Sequence, residues 1–178
     1  MILFAMRNLK IFFRDRTAVF FSLLGVIIII ALYVLFLGDT VAQDIGHVEN
    51  ARFLMDSWIM AGLLAITSVT TTLGGASVVI DDRHRGIAKD FHSSPLSRSS
   101  IVGGYVVSIV LIGVIMCAAT FVLAEIYILA NGGTLLPLAS VLKAAGLIIL
   151  SVLASSSLIF FLVSFFKTQS GFAAASTV

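Results

Sequence analysis

The sequence predicts an all-α integral membrane protein with four complete transmembrane helices, an amphipathic N-terminal interfacial helix and the start of a fifth span. Three observations carry that prediction. Of 178 residues, 60% are hydrophobic and 11% charged, with a mean hydropathy of +1.14, whereas soluble domains carry about 25% charged residues. Eleven basic and nine acidic side chains cannot cover an 18.9 kDa globule, so a soluble globule is excluded. The chain also contains four long apolar runs, and its basic residues fall in alternate polar segments.

The first sixteen residues place Arg7, Lys10 and Arg14 at i, i+3 and i+7 on one helical stripe, with Ile2, Met6, Leu9 and Phe13 expected opposite. Such a helix (residues 1–17) rests in the membrane interface with its basic face toward anionic headgroups. It is either a simple anchor or a connecting helix that passes movement to the first span. That span, 18–37, is uncharged, and fifteen of its twenty residues are Val, Ile, Leu or Phe. At about 1.5 Å per residue it crosses a core of roughly 30 Å. It is too long, and lacks the small-residue end, for a cleaved signal peptide.

The second span covers 58–80, the third 101–130 and the fourth 144–166. Thr67, Ser68, Thr70, Thr71, Thr72, Gly74, Gly75 and Ser77 dilute the second, and Ser151, Ser155, Ser156 and Ser157 the fourth. Small and hydroxylated residues let helices approach closely and hydrogen-bond across the contact. Thr67, Thr71, Thr72 and Ser155 therefore read either as packing or as the lining of a polar path. Glu125 reads as the one ionisable residue inside a span, a functional candidate by default although it sits near the end of its run.

Nine of the eleven basic residues lie before the first span, between the second and third, or after the fourth. By the positive-inside rule the amino terminus, the 81–100 loop and the segment after the fourth span are cytoplasmic. In that loop, a short helix would set Ile87 and Phe91 at i and i+4 within a ring of charge that includes Arg85, stop near Pro95, and leave Ser97 to cap the third span beside Arg98. Two readings are open for it: a helix docking into a soluble partner, or a loop resting on the bilayer. With no repeat or linker, residues 1–178 read as one transmembrane domain.

No phosphate-binding loop, Gly-x-Ser-x-Gly or His-Glu-x-x-His occurs, and His47, His84 and His92 lack metal-ligand spacing. No catalytic, cofactor or metal site is expected on this chain. The single cysteine, Cys117, can form no internal disulfide. Basic residues hug the apolar runs without interleaved aromatics, which argues against nucleic-acid binding.

The chain resembles the membrane (permease) subunits of type-2 ATP-binding-cassette (ABC) exporters, a family of bacterial drug, antibiotic and polysaccharide exporters. The likeness rests on Arg7-Asn8-Leu9-Lys10-Ile11-Phe12-Phe13-Arg14-Asp15-Arg16 before the first span, on the acidic-basic-Gly86 segment leading to Ser94-Pro95-Leu96-Ser97-Arg98, and on Thr168-Gln169-Ser170-Gly171-Phe172. The resemblance implies a multi-pass subunit of the cell (plasma) membrane whose pathway forms with a second permease chain, as a homodimer or heterodimer. It also implies a separate ATPase partner that binds ATP and Mg and docks on the 81–100 loop. The family has six spans, and 171–178 reads as the start of a fifth, so the sequence is expected either to be a piece of a longer permease or to end in a stub. An ion-gradient-driven carrier or channel, and a non-transporting membrane scaffold, are the competing classes.

Overall fold

The structure is a computed structural model that describes residues 2–37, 51–87, 97–130 and 135–166. Phe91 and Pro95 of the expected docking helix, and the expected fifth-span start at 171–178, lie outside the described residues.

Five α-helices account for nearly all of the described chain: α1 (Ile2–Arg14), α2 (Arg16–Leu32), α3 (Ala51–His84), α4 (Arg98–Ala130) and α5 (Leu138–Phe165). No strand occurs among the described residues. Three helices are each long and apolar enough to cross a membrane, namely α3, α4 and α5. The expected first span is divided. Its α2 part has 17 residues, or about 25 Å, short of a 30 Å core. It continues as a π-helical turn, Tyr33–Leu37. Asp15 is the single non-helical residue between α1 and α2, which meet at 62°. Only if that bent pair counts as one span does the number reach the expected four.

The other spans start before their expected first residues, and α3 also ends later. Helix α3 starts at Ala51 rather than 58 and ends at His84 rather than 80; α4 starts at Arg98 rather than 101; α5 covers 138–165 rather than 144–166. Hydropathy marks only the stretch that tolerates hydrocarbon, whereas backbone hydrogen bonding carries a helix on into the headgroup zone. The 34 residues of α3 rise about 51 Å, well beyond the roughly 30 Å core. Asp81 to His84, expected to open a separate short helix, are thus the last turn of α3.

That turn ends at Gly86, whose φ of 76° is left-handed and whose N–H donates to the Arg83 carbonyl at 3.2 Å. Glycine alone takes this conformation without a Cβ penalty. Gly86→Ala is expected to cost about 1–2 kcal/mol, read as a lower unfolding midpoint in detergent micelles. Gly25→Ala, inside α2 with nothing within 4 Å of the added Cβ, is expected to leave the midpoint unchanged or slightly raise it.

Helix α3 packs along α4 and α5, and α1 lies across the end where α3 stops and α4 starts. There Phe4, Val79, Ile80, Ile101, Tyr105 and Val163 join α1, α3, α4 and α5 in one core. At the far end Tyr33 of the π turn packs with Met60 and Leu63 of α3 and with Tyr127 and Ile128 of α4. Exposed Leu142, Leu147, Leu150, Phe161 and Phe165 give α5 an apolar outer face, as a lipid-facing helix requires.

Helix α1 does not bury the face that spacing assigned to it. Phe4, Ala5, Asn8 and Phe12 are buried, while Ile2 and Met6 are exposed and Leu9 and Phe13 half-buried. The correction has a polar cause: α1 is rotated so that Asn8 and Arg7 meet partners on α3 and α4.

Candidate functional site

The basic end of the bundle holds a polar clasp. Asp82, in the last turn of α3, is buried, its side chain 5% exposed, and it receives both arms of Arg7 from α1. Arg7 Nη1 donates to Oδ2 at 2.7 Å and Nη2 to Oδ1 at 3.0 Å. This is the bidentate fork in which guanidinium and carboxylate match best. Tyr105 of α4 donates its hydroxyl to the same Oδ2 at 2.8 Å. The Phe4 ring stands edge-on against the Tyr105 ring, centroids 4.8 Å apart.

Asn8 extends the clasp. Its Oδ1 accepts from Arg7 Nη1 at 3.0 Å and its Nδ2 donates to Ser108 Oγ of α4 at 3.4 Å. Next to Asp82, Arg83 Nη1 donates to the Val163 carbonyl in the last turn of α5 at 3.3 Å. Two consecutive residues of α3 thereby tie it to α1, α4 and α5. A buried carboxylate is costly unless it is paired and hydrogen-bonded, and here each oxygen of Asp82 has a partner.

The expected site residues distribute unevenly around this clasp. Arg7 belongs to it rather than facing headgroups alone, while Lys10 and Arg14 are exposed on the outer face of α1. A shallow surface cavity of about 450 Å³ is lined there by Leu3, Met6, Arg7, Lys10, Ile11 and Arg14, so basic and apolar side chains share one face, as in helices that lie at a bilayer surface. Arg85 is exposed and reaches Asp81 at 3.8 Å, a surface pair of little energetic consequence. Gly86 forms the turn, Ile87 follows it half-buried, and Arg98 opens α4. Ser97 takes the expected capping position: its Oγ accepts from the Ser100 N–H at 3.3 Å.

Thr67, Thr71 and Thr72 are buried in α3. Their hydroxyls donate to α3 carbonyls, those of Leu63, Thr67 and Ser68, at 2.7, 2.6 and 2.6 Å. Ser155 of α5 meets Ser68 of α3 at 3.2 Å, and Ser151 meets the same hydroxyl at 2.9 Å. The hydroxyls form a seam between α3 and α5, with the threonines turned onto their own backbone.

Glu125 is half-buried near the far end of α4, where its Oε2 accepts from the Leu136 N–H at 3.4 Å. By sequence Glu125 is the one ionisable residue inside an apolar span; the helices run beyond those spans and take in further acids. Asp56 and Asp82 both lie in α3 and both are buried, Asp56 accepting from the Tyr33 hydroxyl at 2.8 Å. They are 26 residues apart, about 39 Å along the axis, a separation longer than a hydrocarbon core of roughly 30 Å. Sequence reasoning set both outside the spans because an apolar window ends at the first charge. The available signal was the Asp81-Asp82 pair at the mouth of an apolar run amid basic residues: an acid placed there needs a base from another helix. Among the described residues, no group of three or more side chains has the makings of a metal site.

Three long apolar helices, a bent amino-terminal pair, and charged contacts confined to the helix ends define a multi-pass membrane subunit. All of the chain, residues 1–178, matches the family model described as ABC-2 type transporter, and the chain belongs to that family. It is a transmembrane permease component of an ABC transporter and not its ATPase. No curated protein and no solved structure matches the chain.

Proposed function

We propose that the chain is the membrane-spanning subunit of an ABC exporter in the cell membrane, with its amino terminus, the 81–100 loop and the segment after α5 cytoplasmic. A separate ATPase subunit, carrying ATP and Mg, docks on the loop through Ile87 and Phe91, flanked by Arg85, Pro95 and Arg98. A second permease chain completes the pathway. Family membership supports the subunit role, and the position of the clasp supports the coupling.

The observation that carries the coupling is the four-residue spacing from Asp82 to Gly86. A load applied to the loop after Gly86 enters α3 one turn from the carboxylate that holds α1 and α4, and from the Arg83 contact with α5. A pull on the loop therefore moves the helix ends together. Cytoplasmic placement follows from the nine basic residues on that side. Ser68, with Ser151 and Ser155, acts in this reading as the seam that keeps α3 and α5 moving as one body, and Thr67, Thr71 and Thr72 serve as buried packing beside it.

The test uses the full-length permease co-expressed with its ATPase. Ile87→Asp with Phe91→Asp is expected to reduce co-purified ATPase at least about tenfold, since a charge at an apolar anchor removes the 2 kcal/mol or more that such anchors supply. Stimulation of ATP hydrolysis by substrate should disappear with it. Unchanged assembly and unchanged stimulation would show that the ATPase docks elsewhere.

A further inference from the structure

Two adjoining cavities that share walls on the α3–α5 side of the bundle serve no purpose in the coupling proposed for the Gly86 loop. The larger, about 480 Å³, is lined by Ala65, Ser68, Cys117, Ser151 and Ala154 among others. The smaller, about 150 Å³, lies at the far end and is lined by Ser57, Phe121, Glu125 and Leu136. Ala61, Leu64 and Ala144 are walls of both. Ala61, Ala65, Leu147, Leu150 and Ala154 are exposed at the rim, so the groove opens sideways onto the surface that faces lipid in a membrane-spanning subunit.

The groove is apolar along its length and carries its polar groups at two places. Midway, the Ser68 and Ser151 hydroxyls bond to each other and ask for nothing more. At the far end stand two acceptors. Ser57 Oγ is buried with no hydrogen-bond partner among the described residues. The Glu125 carboxylate has the single Leu136 N–H at 3.4 Å, beyond the usual range for a good bond. Among the described residues no basic side chain pairs with Glu125. Lys143, beside the wall residue Ala144, is exposed and makes no ion pair among them. From Ser57 to Ser68 is eleven residues, about 16 Å along α3, close to half of a 30 Å hydrocarbon core and so to the depth reached by one lipid tail.

We propose that this groove binds a single-chain amphiphile with a primary ammonium head, the head held by Glu125 and Ser57 and the hydrocarbon chain laid between α3 and α5 toward Ser68. The choice of occupant follows from charge and hydrogen bonding together. An ammonium supplies positive charge and three donors to a carboxylate and a hydroxyl that lack them, whereas an anionic head would meet Glu125 as a like charge. The apolar trough, about 480 Å³ in its larger part, takes one chain, entering laterally from the bilayer. The inference deepens the exporter reading by naming a substrate class, and it rests on that reading only for the step of transport.

Binding is measured without the ATPase, so its failure and the failure of the exporter reading are separate results. The full chain in maltoside micelles is titrated with radiolabelled hexadecylammonium, with hexadecyl sulfate and hexadecanol as matched chains. Micelle partition is linear in ligand, and site binding saturates. Saturable binding of one hexadecylammonium per chain is expected, with neither matched chain displacing it. Glu125→Gln should weaken it about tenfold or more, as loss of a charged hydrogen bond of 1.5–3 kcal/mol implies. Glu125→Asp should retain most of the affinity, and Ala154→Phe, which fills the trough from an exposed wall, should abolish it. Equal binding of hexadecyl sulfate, no effect of Glu125→Gln, or no effect of Ala154→Phe would each overturn the proposal. So would a stoichiometric resident phospholipid that the ammonium fails to displace, or the absence of saturable binding in the unaltered chain.

Discussion

Replacing Arg7 with Met is expected to lower the unfolding free energy by about 3–5 kcal/mol, the cost of stripping one partner from a buried ion pair. Asp82 would keep only the Tyr105 hydroxyl, with 5% of its side chain exposed. Asp82→Asn should cost less, because Arg7 is one-third exposed and retains Asn8 and access to water. The double variant Arg7→Met, Asp82→Asn should recover part of the loss, giving a coupling energy of about 1–3 kcal/mol. Denaturant titration of the four proteins in micelles measures it. Strictly additive losses would mean that the two side chains are neighbours without being a clasp. In the complete transporter the double variant also separates stability from coupling. If it folds and binds ATPase yet no longer transports, the charge pair itself carries movement from loop to α1.

The all-helical character and the three long spans were legible because lipid leaves a simple mark: apolar runs of the right length with charges between them. The family resemblance was legible for a related reason, since the Gly86 turn and the bases around it are local chemistry. Asp82 was not legible. Its partner is 75 residues away on α1, and periodicity along α1 favoured a rotation that would have turned Phe4 and Asn8 outward. Burial of Asn8 and pairing of Arg7 outweighed exposure of Ile2 and Met6, which lipid accepts without penalty. The same asymmetry explains α1 more generally: at a bilayer surface apolar side chains need no protein partner, so polar contacts choose the buried face. Asp56 escaped for the converse reason, because the apolar window closed at it while the helix did not. Glu125 was identified from sequence as an acid within a span, but its neighbours Ser57 and Leu136 belong to other helices or connections and appear only in three dimensions.

Gly113→Leu is expected to be the most disruptive single change in the middle of the bundle. Even a Cβ there would stand 2.7 Å from Val152 Cγ1 and 2.9 Å from Thr72 Cγ2, closer than carbon atoms approach. Neither neighbour can yield. Both are branched at Cβ and stiff at χ1, both are fully buried, and the Thr72 hydroxyl is fastened to the Ser68 and Val69 carbonyls at 2.6 and 2.9 Å. Relief requires α4 to move away from α3 and α5. In lipid, helices gain little by hiding apolar surface and hold together by close packing, so that separation removes the main attraction between them. Gly113→Ala should cost about 1–3 kcal/mol and Gly113→Leu more than that. Gly146→Ala, with nothing within 4 Å, should be neutral, and Gly75→Ala intermediate, since its nearest neighbour at 3.3 Å is the flexible end of Ile112. Val152→Ala should recover only part of the Gly113→Ala loss, because Thr72 Cγ2 still stands 2.9 Å from the added Cβ, while itself lowering stability in the unaltered chain. If Gly113→Ala proves as silent as Gly146→Ala, the three helices do not meet there as closely as described. A pull at Gly86 would then not be carried from α3 to α4 and α5 through a rigid contact at mid-bundle.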